Sequence, residues 1–403
     1  MHPEKKIELI MLHPEFPTTF RKQGDSYFQT FFNFMFYLLF VPFKVVVDGE
    51  SGDFILKFNL LQKVLCATIH LAAIGLGAFY IVVYAQNMSS TKDVPSLFLN
   101  AGSLASYMSI IIAIKTVWFN QPAILGMLQE TRVAFSTEKK RMLLKASLLS
   151  LILWMFSVHT GMGLFSAFGS EAVSPAVLMS IRKVVEICEQ FVGSTGTGSW
   201  PWSPKIKFII KILLIEANNF YNIPRIIIMV SALTFLGMGK EFESLVQDES
   251  CLKRVIRKYD SLREAVGKTN GVVGGIMLAQ YITVLSFLAS SPCLMSDRST
   301  QSIWVLVEKF YITFTYSLYG VFLVVACDMP KRVRLTWKYW MINKRLCEEL
   351  TSDEHQLMTS FTLDVESESL GLSCSFFTLT YSFIGSMIGL VATYGILIYQ
   401  MQK

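Results

Sequence analysis

Seven long, nearly charge-free apolar runs, at 64–84, 94–119, 146–168, 208–237, 272–293, 303–327 and 376–401, constrain this chain more than any other feature. About 20 apolar residues in a helix cross the roughly 30 Å of bilayer hydrocarbon, and a helix is one of the few backbones that satisfies its own polar groups there. Composition agrees, since 52% of the 403 residues are hydrophobic and only 16% are charged, where soluble domains carry about 25% charged residues. The expected fold class is therefore all-α, a polytopic membrane protein with seven transmembrane helices. An eighth run, 31–47, is interrupted by Pro42 and Lys44 and reads as a re-entrant or interfacial segment; a true first span, with eight crossings, is the alternative.

Lysine and arginine placement sets the orientation, because basic residues stay cytoplasmic. With the N-terminus inside, the connections on the cytoplasmic side hold 23 basic residues and those on the other side 7. The sequon at Asn87 falls in the first outside loop and is a glycosylation candidate. The expected location is thus the plasma membrane, multi-pass, with the N-terminus cytoplasmic and the C-terminus extracellular. The first residues lack the apolar core and cleavage site of a signal peptide. The net charge of +6 comes in short clusters between apolar runs, a pattern that speaks for loops at a lipid surface and against nucleic acid. No catalytic motif, metal-ligand spacing or cofactor fingerprint stands out, so no enzyme, metal or cofactor is expected. An inside N-terminus, without D-R-Y or N-P-x-x-Y, argues against a G-protein-coupled receptor.

Apolar periodicity continues beyond the spans. Leu252, Val255, Ile256, Tyr259, Leu262 and Val266 share one helical face, and Trp337, Tyr339, Trp340, Met341, Leu346 and Leu350 lie among basic residues. Spans four to six are expected to run below the membrane as a compact helical bundle whose apolar faces reach a second subunit; an interfacial helix on anionic lipid is the alternative. Outside, a Gly/Ser/Thr run at 193–199 precedes Trp200-Pro201-Trp202 and reads as an interfacial anchor or a lid. Cys188 and Cys293 both fall on the oxidising side, as a disulfide candidate or as two free thiols.

The last span ends Thr393-Tyr394-Gly395-Ile396-Leu397-Ile398-Tyr399-Gln400-Met401, and it is approached through Gly371-Leu372-Ser373-Cys374-Ser375-Phe376-Phe377-Thr378-Leu379. The first segment resembles the TYhhhhhQF signature of arthropod gustatory receptors, and the second is similar to the G-x-F-F-x-L approach to that family's last span. The departures are Met401, where the family has Phe, and the small Gly395. With seven spans and an inside N-terminus, the resemblance to the insect gustatory and odorant receptor superfamily extends over the whole chain. It implies a homotetrameric, ligand-gated cation channel, passing monovalent and divalent cations, whose last spans line one pore and whose small-molecule tastant binds in the outer half of spans two to six. The divisions that follow are a cytoplasmic region at 1–59, spans one to six with their extensions at 60–327 as the ligand-binding domain, and cytoplasmic anchor helices with span seven at 328–403.

Thr393, Ile396, Leu397, Gln400 and Met401 recur at three- and four-residue steps, one face of a helix, with small Gly385, Ser386 and Gly389 nearer its start. Alkyl rings gate by dewetting and a Gln ring offers carbonyl oxygens, so these are the pore and gate candidates. Read without the resemblance, Gln400 also suits an interfacial side chain, and the small residues close helix packing. Polar groups at outer-leaflet depth are costly unless satisfied, so Asn100, Ser103, Tyr107, Trp154, His159, Glu216, Asn219, Asn222, Trp304, Glu308 and Tyr311 are the ligand-binding candidates, with Ser286 and Ser290 beside them. They also suit a network that satisfies itself. A receptor of the same superfamily for light or peroxide, or one that signals without conducting, is the alternative function.

Overall fold

The computed structural model describes residues 26–90, 94–132, 138–168, 208, 212–213, 215–217, 219–247, 249, 251–296, 303–347, 351–367, 370–374 and 376–401. Helix dominates them. In chain order the elements are α1 (Tyr27–Tyr37), β1 (Phe43–Val47), β2 (Phe54–Phe58), α2 (Leu60–Ser90), α3 (Val94–Phe119), α4 (Gln121–Glu130) and α5 (Glu138–Phe168). A 3-10 turn (Phe220–Asn222) then leads into α6 (Ile223–Gln247), α7 (Leu252–Ser296), α8 (Ile303–Ala326), α9 (Asp328–Cys347), α10 (Ser352–Ser367) and α11 (Tyr381–Met401). Each apolar run falls on helix, although the last helix starts five residues later than the run that marks it. Among the described residues five helices are long and apolar enough to cross a membrane, and Lys145–Val158 and Tyr381–Leu397 are shorter apolar helices.

The 31–47 run is not one helix. α1 closes on two backbone bonds, Phe40 N–H to the Met35 carbonyl at 2.9 Å and Leu39 N–H to that of Phe36 at 3.2 Å, with Leu39 in the left-handed region at φ 62°. This is a Schellman stop. Pro42 follows, and the chain turns into an antiparallel β1–β2 hairpin in the register Phe43↔Phe58 to Val47↔Phe54. Asn33 fixes α1 to the hairpin by donating to the Val45 carbonyl at 2.9 Å and accepting from Val45 N–H at 2.7 Å. Arg132, just past α4, stacks on Phe54 at 4.1 Å and donates to the Gly52 carbonyl at 2.8 Å.

α6 is buried nearly all round and sits at the centre, touching α1, α3, α7, α8 and α9; a helix apolar on every side has no solvent face to keep. α7 packs most extensively on α3. The two meet through small residues: a Cβ at Gly102 would lie 2.8 Å from that of Ser286, and one at Gly275 would lie 3.5 Å from Ile112. Small residues let helix backbones approach where apolar burial alone gives no preference over lipid.

The bundle beyond the spans is present. Trp337 stacks on Trp340 at 5.3 Å and meets Phe361 edge-on at 4.6 Å, and Phe361 meets Tyr259 at 5.0 Å. Trp337 Nε1–H donates to Thr362 Oγ1 at 3.1 Å, and Trp340 Nε1–H donates to the Glu249 carbonyl at 2.5 Å. One expectation needs correction. Leu252, Val255, Tyr259, Leu262 and Val266 are buried within the chain itself, so this face is not left for a second subunit. The exposed apolar residues of the region are instead Leu335, Tyr339 and Ile342 on α9 and Leu357 and Leu363 on α10.

Candidate ligand site and pore helix

Span four breaks where polar residues gather. Pro224 has no N–H to offer the Phe220 carbonyl four residues back, so the Ile223 N–H takes it in 3-10 geometry. Pro224 then sits in the first turn of α6, where a missing donor costs nothing. The break holds Asn219 and Asn222, and one turn on comes Arg225; all three are buried.

Arg225 lies over the rings of Tyr221 and Tyr316, at 4.1 and 4.6 Å from their centroids, and its Nη2 donates to the Tyr316 hydroxyl at 2.5 Å. The hydroxyls of Tyr221 and Tyr316 are 3.2 Å apart. Tyr316 stacks on Phe287 at 4.7 Å, while Tyr221 leads at 5.9 Å to Tyr107, which stacks on Tyr80 at 4.6 Å. An aromatic chain with one cation in it thus ties α2, α3, the 3-10 turn, α6, α8 and α7 together.

Several ligand candidates lie in or beside this chain. Tyr107 is part of it. Asn222 is fully buried, with neither side-chain atom hydrogen-bonded. Asn219 donates to Thr160 Oγ1 at 2.9 Å and to Glu216 Oε2 at 3.3 Å. Trp154 meets Tyr311 at 5.9 Å, and the Tyr311 hydroxyl points to the Met155 carbonyl at 3.5 Å. Ser103 is buried and Asn100 half-buried, both on α3, and neither is joined to the group by a hydrogen bond among the described residues. Ser290 bonds back to the Ser286 carbonyl at 2.8 Å, within α7. The side chains of His159, Trp304, Glu308 and Cys293, and Cys188 with the lid segment at 193–202, lie outside the described residues. Sequence reasoning missed Arg225. Its signal was an arginine inside an apolar run directly after a proline, a placement that by itself marks a functional position.

Two apolar cavities of about 10 Å³ each lie below, one beside His70 and Phe220 and one between Phe28, Phe32 and Ile276; each has room for about one water. His70 is satisfied, bonded to the Phe40 carbonyl at 3.1 Å and accepting from Trp118 Nε1.

α11 is the opposite of α6. Of its described side chains only Gly395 is buried, and its packing is against α7, with Phe98 of α3 at 6.2 Å from Tyr394. On the candidate pore face Thr393 and Gln400 are exposed, and Ile396 and Leu397 are 59% and 47% exposed. Met401 ends the helix with its side chain outside the described set. The approach segment fixes this helix to α7. Residues 371–379 form a tight turn with a Ser373↔Thr378 bridge and a Leu379 N–H to Leu372 carbonyl bond at 2.9 Å. Asn270 of α7 donates to the Gly371 carbonyl at 2.8 Å and accepts from Ser373 N–H at 2.9 Å. Tyr281, Phe377 and Phe383 pack ring on ring at 4.5 to 5.3 Å.

No protein-family model matches the sequence, and no curated protein matches it. Among solved structures, the insect olfactory receptor OR5 from Machilis hrabei in complex with eugenol superposes with a TM-score of 0.57 at 13% identity, covering 93% of this chain and 98% of that one. A second structure of the same receptor gives 0.56 at 12%, covering 93% and 97%. The fold is that of an insect olfactory receptor. Within the olfactory-receptor fold, the aromatic chain around Arg225 joins the membrane helices, and the bare α11 stands at one side of them.

Proposed function

We propose that this chain is a chemosensory receptor of the gustatory type that is itself a ligand-gated cation channel, assembled as a homotetramer around four copies of α11 and opened by a small tastant. The observation that carries the reading is α11: an apolar helix, exposed on almost every side within its own chain, in an olfactory-receptor fold whose central helix α6 is covered nearly all round. Such a helix has lipid or copies of itself to cover it, and in this reading the face bearing Thr393 and Gln400 is covered by copies around an axis. Four such faces form a pore with alkyl rings at Ile396 and Leu397 and a neutral amide ring at Gln400, with Met401 beside it. Without an acidic residue on α11, the pore discriminates little among monovalent and divalent cations.

In this reading α5 and α11 also cross the membrane, giving seven spans with the N-terminus inside, and α1 with its hairpin lies on the cytoplasmic side. Asn87, exposed near the end of α2, takes the glycan, and Cys188 and Cys293 face the oxidising side. OR5 has been seen with eugenol bound, and a small organic ligand is assigned here to the aromatic and polar groups around the span-four break. The test is electrical. Purified chain in liposomes is expected to conduct when a ligand from a tastant panel is added; a ligand-bound but electrically silent protein would support the non-conducting alternative.

A further inference from the structure

Arginine stays protonated even when buried, and Arg225 is 2% exposed. Among the described residues no acid is paired with it; its partners are the neutral Tyr316 hydroxyl and the two tyrosine faces that sandwich it. Cation–π contact recovers part of the lost hydration. Yet a lone cation at this depth remains costly, and one whose donors are unused more so. Arg225 Nε is such a donor, buried without an acceptor.

It is not alone. Asn222, the last residue of the 3-10 turn that leads into α6 and three residues before Arg225, is 0% exposed and leaves both amide atoms unbonded. The Tyr319 hydroxyl, one turn along α8 from Tyr316, is buried and unbonded too. Three separate groups, on the 3-10 turn, α6 and α8, thus present unfilled hydrogen-bonding capacity around one positive charge that faces tyrosine rings. Buried polar groups are normally bonded, and orphans gathered around a charge indicate something that completes them.

We infer that Arg225 and Asn222 form the anion-recognising end of the ligand site, and that the ligands taken there are small monocarboxylates with an apolar or aromatic body. A single guanidinium matches one planar carboxylate by charge and by its fork of donors. A phosphate dianion would bring twice the charge to one cation. The inference rests on placing the ligand site at the span-four break, and it adds the chemical class the site selects.

The experiment is equilibrium binding to the purified full chain in lipid nanodiscs, which needs no conduction. The probes are acetate, benzoate and 3-phenylpropionate, each against its neutral amide. The carboxylates are expected to bind at least about tenfold tighter than their amides, with 3-phenylpropionate tightest, since one charge-assisted bond in a dry site is worth that much. Arg225→Gln is expected to erase the difference, Arg225→Lys to retain part of it, and Asn222→Leu to weaken carboxylate binding while sparing the amides. Equal binding of acids and amides, or no carboxylate binding up to about 10 mM, overturns the inference from the wild-type chain alone, and so does a preference that survives Arg225→Gln. Current evoked by neutral compounds without acid preference overturns this inference and leaves the channel reading standing. Carboxylate binding without current does the reverse.

Discussion

Asn270 holds the turn before α11 to α7 through both ends of one amide, to the Gly371 carbonyl and the Ser373 N–H. Asn270→Leu keeps the volume and leaves two backbone groups unpaired, which is expected to cost about 2–4 kcal/mol, read as a lowered midpoint of thermal unfolding. Gly371→Ala would place a Cβ 3.0 Å from Thr378 Cγ2 and 3.3 Å from the Leu379 carbonyl; a loss of about 1–3 kcal/mol is expected. At the start of α10, Thr351 and Glu354 form a reciprocal cap, with Thr351 N–H on Glu354 Oε2 at 3.1 Å and Glu354 N–H on Thr351 Oγ1 at 3.3 Å. Bonds from the Thr351 backbone and side chain hold the Glu354 carboxyl below the usual carboxylate range. A depressed folded pKa means the cap is fully formed above the unfolded value and is lost as pH falls through the folded one. Protection of the amides at 352–356, measured as exchange relative to the intrinsic rate at each pH, is therefore expected to fall on acidification through the carboxylate range, and Glu354→Gln to remove that pH dependence.

Among the elements, those with a strong period were readable from sequence. The face from Leu252 to Val266 predicted a buried helix and is one, yet periodicity does not say which partner covers a face, and the chain's own α6 and α10 do so here. Trp337 is the anchor of that bundle, 2% exposed between Trp340 and Phe361. Trp337→Ala is expected to cost about 3–5 kcal/mol, seen as early unfolding of the region under denaturant. The 31–47 run shows what hydropathy cannot see: a left-handed Leu39 and a pairing with a second strand outside the run decide that it is helix, turn and strand. The candidate polar residues were chosen by depth alone, and of them the structure places Tyr107 in the aromatic chain and Asn219 and Asn222 at the break beside it. Arg225 was passed over although an arginine after a proline in an apolar run was visible in the sequence; what only the structure adds is that its neighbours are tyrosines.

Over the whole molecule, the mostly helical, multi-span class was legible because apolar helices must bridge the same hydrocarbon, while the crossing pattern around α6 depends on packing among distant segments. α7 links the proposed ligand site to the proposed pore helix: Phe287 meets Tyr316 beside Arg225, and Asn270 and Tyr281 hold the approach to α11. A shift of α7 would move both. In the proposed tetrameric channel, taking the closed-to-open ratio from 1:99 to 99:1 requires about 5.5 kcal/mol of differential binding, or roughly 1.4 kcal/mol per subunit, about one hydrogen bond apiece. Leu397→Ala or Met401→Ala is accordingly expected to raise ligand-free current by weakening the closed ring. The most direct measurement is the reversal potential of ligand-evoked current from purified wild-type and Gln400→Glu chain in planar bilayers with sodium on one side and calcium on the other. A shift toward calcium, or calcium block, in Gln400→Glu is the result predicted for a pore lined by α11; ligand-evoked current with the same reversal potential and no block in both chains would contradict it.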